Sequence, residues 1–141
     1  MECFDAGVRL GVRILAFMTV ASQLLGEEGE RIAEAWLVQR GWRILDRRFR
    51  SGHRDLDLVA EREGVVAFVE VKARRGRRFG HPVEAVNWRK QRELTRSAGV
   101  WIARHGGAKQ TFRFDVMGVL MDESGARIRH VENAFSAKGS G

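Results

Sequence analysis

Residues that staple a chain or carry it through a membrane are scarce in this sequence. One cysteine, Cys3, stands among 141 residues, so no disulfide can form within the chain. That fits a reducing compartment, and a cytoplasmic location is expected. Long apolar runs are missing too. The most apolar stretch, GVRLGVRILAFMTVASQLL, is interrupted by Arg9 and Arg13. It falls short of the ~20 residues a membrane span needs. It also lacks a small-residue cleavage site behind a clean hydrophobic region, so no membrane partner is expected. The four histidines, His53, His81, His105 and His130, have no zinc-ligand spacing. No internal repeat, groove-reading helix or RNA-binding module is visible.

What is there is an ordinary globular balance, with 44% hydrophobic and 30% charged residues. Without a long linker, one domain is expected over residues 23–134. Residues 1–22 read as a peripheral extension and 135–141 as a flexible tail. The charge is uneven. Between Lys72 and Arg96 nine Lys or Arg residues face only Glu84 and Glu93, a net +7 that equals the net charge of the whole chain. Such a basic stretch reads as a solvated loop and helix face, or as a surface for nucleic-acid phosphates.

Hydrophobic spacing gives the layout. Gly29, Ile32, Ala33, Trp36 and Leu37 form a helical stripe ending at Gly41, which predicts a helix from about 25 to 40. WRILDRRFR, RDLDLVA, VVAFVEVKA, TFRFDVMGVLM and ARIRHVE read as strands. Val86, Lys90, Leu94, Ala98, Trp101 and Ile102 share one face of a long helix from Pro82 to His105. The order α-β-β-β-α-β-β predicts an α/β fold, a mixed central sheet of about five strands flanked by helices.

The second and third strands form a hairpin whose turn is expected at Glu63-Gly64. Pairing outward from there sets Asp57 opposite Glu70 and Asp55 opposite Lys72. Directly opposed residues share a face, with Cβ atoms roughly 4.5–5.5 Å apart. Two carboxylates would stand side by side, which raises a carboxyl pKa unless a cation sits between them. Mg²⁺ or Mn²⁺ suits such a pair, because a hard cation takes one or two carboxylates and completes its shell with water. The same residues also read as the charged, solvent-facing side of an ordinary hairpin.

Asp57 with Glu70-Val71-Lys72 resembles the Asp…Glu-X-Lys signature of the PD-(D/E)XK nuclease superfamily. Together with GEEGERIAEAWLVQRGWRIL, DLDLVA, FGHPVEAV and FRFDVMGVL, it resembles the YraN family of predicted nucleases. The similarity runs from about Gly26 to Leu120. It implies a restriction-endonuclease-like core. It also implies a site in which Asp57 and Glu70 hold a divalent metal and Lys72 acts in catalysis. The opening GEEGER is similar to the first helix of archaeal Holliday-junction resolvases, which adds Glu30 as a catalytic and metal-holding residue. One departure is Asp55, where YraN-like chains usually carry Glu.

The expected activity is divalent-metal-dependent hydrolysis of phosphodiester bonds in structured DNA or RNA. Arg74, Arg75, Arg77 and Arg78, in a Gly-flanked loop, are expected to hold the phosphate backbone. Arg89 and Lys90 are expected to add to that surface. Two other classes stay open: a nucleic-acid-binding module with a silent site, and an interaction protein with a basic surface. A homodimer is compatible with either. Glu30 also reads as a solvated helix-edge carboxylate, and Lys90 as a lysine whose head reaches out to water. Trp88 reads as a core residue before a base-stacking one. Asp115 reads as the partner of a nearby Arg.

Overall fold

The computed structural model describes residues 2–52, 54–76, 78, 80, 84, 86–106 and 109–136. The elements are α1 (Glu2–Gln39), β1 (Arg43–Ser51), β2 (Arg54–Arg62), β3 (Val65–Arg75), α2 (Trp88–His105), β4 (Thr111–Asp122) and β5 (Gly125–Phe135). The expected order of elements is therefore found. All five strands join one sheet in the order β1-β2-β3-β4-β5. β3 and β4 run parallel, and the other neighbours run antiparallel. A parallel pair needs a long crossover, and α2 supplies it.

Strand residues alternate between two apolar layers. Val69, Val71, Met117 and Val119 pack with Ala33 and Leu37 of α1. Val66, Phe68, Phe114 and Val116 pack with Leu94, Ala98 and Trp101 of α2. Burial of each large side chain stabilises by roughly 1.5–3 kcal/mol, so both helices are fixed against the sheet. Helix α1 approaches most closely at Gly29, where an added Cβ would overlap the Cβ of Ala73 on β3. That contact fixes the neighbouring Glu30 relative to β3.

Two helix starts differ from expectation. Helix α1 begins at Glu2 rather than near residue 25. The chain's one proline is Pro82, so proline breaks nothing in this region. Helix α2 begins at Trp88, because the Asn87 side chain accepts a hydrogen bond from the Lys90 N–H and caps it. Val86 therefore packs from ahead of the helix, and Pro82 lies outside the described residues. Among the described residues, no helix is long and apolar enough to cross a membrane.

Candidate active site

The β2–β3 turn sets the site. Glu63 and Gly64 both have positive φ, 52° and 79°, the pattern of a two-residue turn that matches strand twist. The register follows from it, with Arg62 opposite Val65 and Leu58 opposite Val69. Beyond Leu58 the ladder with β3 stops, while β3 continues to Arg75 beside β4. A strand that parts from its neighbour leaves backbone N–H groups without partners. Asp57 fills one such position, and its Oδ2 accepts from the Val71 N–H at 2.8 Å. Asp57 is thus held at the point of divergence, facing the end of β3.

Glu70 and Lys72 point to the α2 side of β3, in step with Val66 and Phe68. Glu70 is only 7% exposed. Its Oε1 accepts from the ammonium of Lys90 in a short ion pair, and the Lys72 Nζ stands 3.7 Å from the same oxygen. Its Oε2 is buried without a hydrogen-bond partner among the described residues. Asp57, Glu70, Val71, Lys72 and Lys90, with Glu30 and Asp55, line one open pocket of about 490 Å³.

Burial and charge crowding show in the titration of Asp57 and Lys72. The Asp57 carboxyl is pushed up to about 8, by burial first and by the Glu70 charge second. Lys72 is held below its usual range by burial and then by the neighbouring Lys90 ammonium. Glu30 reaches the pocket from α1 but is bonded to Arg48, whose Nε lies 2.8 Å away. Asp55 pairs with Arg50 at 3.4 Å. Among the described residues, no three His, Cys, Asp or Glu side chains gather closely enough to hold a metal by themselves.

The basic residues are distributed differently. Arg74 and Arg75 end strand β3 rather than opening a loop, because pairing with β4 carries the strand on to Arg75. Both are exposed, as are Arg78 and Arg89; Arg77 lies outside the described residues. Lys90 faces inward, only 7% exposed, with its head on Glu70 rather than in water. The signal for this was its place on the apolar face of α2, four residues from Val86 and from Leu94. Trp88 is 70% exposed and not in the core. As the first residue of α2, it projects away from the face that carries Lys90. Asp115 bonds Arg113, as expected, and also His130 and the Asn133 N–H.

The Asp57 shift has a sign that unfolding can check. A carboxyl at about 8 when folded and 3.8 when unfolded binds its proton more tightly in the folded state. Stability should therefore fall as pH rises from about 4 to about 8. The upper bound on that loss is about 6 kcal/mol, at 1.36 kcal/mol per unit. Urea unfolding in EDTA at pH 5 and pH 8 should show this decline in wild type and a flatter profile in Asp57→Asn. Parallel profiles in the two proteins would mean that Asp57 is ionised throughout.

The model of the uncharacterised protein family UPF0102 matches residues 29–119. A UPF0102 protein of Symbiobacterium thermophilum is 48% identical, over 82% of this chain and 99% of its own. That of Trichlorobacter lovleyi is 45% identical, over 81% and 91%. That of Alkaliphilus metalliredigens is 42% identical, over 81% and 99%. Among solved structures, Pyrococcus furiosus SfsA in complex with Ca²⁺ aligns with a TM-score of 0.37 and 20% identity. That alignment covers 79% of this chain and 63% of SfsA. With a family match over most of its folded core and relatives aligned over nearly their whole lengths, the chain belongs to the UPF0102 (YraN) family.

Proposed function

We propose that this protein is a divalent-metal-dependent endonuclease that hydrolyses phosphodiester bonds in structured nucleic acid. The observation that carries the reading is the crowding of Asp57 and Glu70 in one open pocket beside Lys72. The residues fit a hard cation. Glu70 presents a buried oxygen without a partner among the described residues, and Asp57 holds a proton that a cation would replace. Two carboxylates, the Val71 carbonyl and water suffice for Mg²⁺ or Mn²⁺, which rarely take an all-protein cage. Glu30 would join them after releasing Arg48.

A bound ion would supply Lewis acidity at the phosphoryl oxygen and acidify water. Lys72 holds the attacking water and neutralises charge that grows on the phosphoryl oxygens in the transition state. The reaction forms a bond from the water oxygen to phosphorus and breaks the bond to the leaving oxygen. Glu70 positions Lys72, since the two share a face of β3 two residues apart. Arg74, Arg75, Arg77, Arg78 and Arg89 contact phosphates away from the reacting one. Trp88 adds an exposed ring with the Arg92 guanidinium 4.7 Å from its centroid. Unpaired bases stack on such aromatic and cationic pairs.

The ion pair from Lys90 to Glu70 favours a second reading, a nucleic-acid-binding module with a silent site. In that case the ammonium neutralises Glu70 permanently. Both readings require phosphate contacts, and these are tested by salt. Replacing Arg74, Arg75, Arg77 and Arg78 with Gln should weaken binding several-fold. It should flatten the slope of log K against log[salt] by up to about three units. Affinity and slope unchanged for both a single strand and a junction would move the basic surface to a protein partner. Cleavage in Mg²⁺ or Mn²⁺ that EDTA abolishes separates the first reading from the second.

A further inference from the structure

We propose that Lys90 is a built-in competitor for the divalent cation: its ammonium neutralises Glu70 in the metal-free protein and leaves the carboxylate when the ion binds. The inference rests on the metal-dependent reading and concerns the regulation of that same site.

The starting observation is an ammonium in the wrong place for a surface lysine. Lys90 lies in the first turn of α2 among the buried residues Leu94, Ser97, Ala98 and Trp101. An unpaired charge there would be costly. Glu70 is its counter-ion, and each side chain is more than nine-tenths buried. The pairing is incomplete, because Glu70 Oε2 has no partner among the described residues. The carboxylate is thus stabilised on one oxygen and available on the other.

Charge counting gives the consequence. Asp57, Glu70, Lys72 and Lys90 sum to zero when all are ionised. A divalent cation added to all four would leave this group at +2, with both ammonium groups within 4 Å of the same Glu70 oxygen. Like charges within a half-buried pocket repel strongly, so one ammonium has to go. Lys72 is retained, since the proposed reaction uses its ammonium beside the reacting phosphate. Lys90 lines the open pocket, and its long stem lets the head swing into it. Freed there, the ammonium meets whatever phosphate occupies the pocket.

The sign of the test is unusual, because deleting a lysine of the site should improve metal binding. Mn²⁺ is titrated by calorimetry into wild type and Lys90→Met, which keeps the stem and removes the charge. The variant should bind about 5–150-fold more tightly, the usual range of coupling between two competing interactions. Binding seen in the variant alone also supports the proposal, and makes the wild-type site silent until Lys90 is displaced. Equal or weaker binding by the variant overturns it and leaves the nuclease reading intact. No binding by either protein sinks both. If Lys90→Met does not fold, wild type decides. Acetylation mapped by mass spectrometry should find Lys90 protected without Mn²⁺ and modified with it. Unchanged Lys90 reactivity at Mn²⁺ concentrations that saturate the protein would equally overturn the competition.

Discussion

Lys72→Ala should lower cleavage by about 10²–10³-fold, the cost of removing one preorganised charge-stabilising donor, while nucleic-acid affinity stays within a few-fold of wild type. The asymmetry follows from position. Lys72 stands on β3 beside the carboxylates, its Nζ 3.7 Å from Glu70. In the proposed function the exposed arginines at the strand end and beyond would carry the non-reacting phosphates. A group that acts mainly in the transition state changes the rate far more than the affinity. Burial and Lys90 together hold its pKa below the usual lysine range. The measurement is single-turnover cleavage alongside affinity in EDTA. An equal loss of both would make Lys72 another phosphate contact. Retention of most cleavage would remove it from the reaction.

Asp115→Ala should be among the most destabilising single changes in the fold, by about 3–5 kcal/mol. Asp115 is fully buried on β4. It accepts from Arg113 Nε at 2.9 Å and Nη2 at 3.1 Å, from the Asn133 N–H at 2.9 Å, and contacts His130 Nε2 at 2.8 Å. Burial raises its pKa, but the bonds from His130, Arg113 and Asn133 outweigh that and hold the carboxyl below its usual range. This stabilisation is present above the unfolded carboxyl range and disappears as pH falls through the folded value. Removing the side chain strands the His130 imidazole, against which Trp36 and Trp42 pack, and leaves the Arg113 guanidinium only the exposed Glu132 carboxylate at 3.5 Å. A loss of that size is a large share of the ~5–15 kcal/mol available to a domain. Urea unfolding at pH 7 measures it, and a loss under about 1 kcal/mol would mean that the network contributes little.

The hairpin was legible because two local rules fix it. A turn with positive φ at Glu63 and Gly64 sets the register, and a side-chain period of two sets the faces. The shared face of Glu70 and Lys72 follows from those rules, whereas Asp57 lies past the last paired residue, Leu58, and is placed by its bond to the Val71 N–H. The length of α1 was not legible, because its first half needs only the absence of a breaker, and periodicity is silent there. The start of α2 depended on one side chain, Asn87, capping the helix. The Lys90–Glu70 pair was hidden for a different reason. It joins a crossover helix to a strand, and its existence depends on how α2 sits over the sheet, which no local spacing encodes. Trp88 also read as a core residue, and the rotation of α2 turns it outward, 70% exposed. Asp115 showed its Arg partner two residues away, but His130 reached it only through the pairing of β5 with β4.

The most direct test is a cleavage screen of labelled single-stranded, branched and duplex DNA and RNA with the wild-type protein, in Mn²⁺ or Mg²⁺ against EDTA. Glu70→Gln serves as the matched control, since it keeps the shape of the side chain and removes its charge. The account predicts cleavage of at least one substrate by wild type that disappears with EDTA and with Glu70→Gln. Cleavage that survives in Glu70→Gln, or no cleavage of any substrate at Mn²⁺ concentrations that saturate the protein, would contradict it.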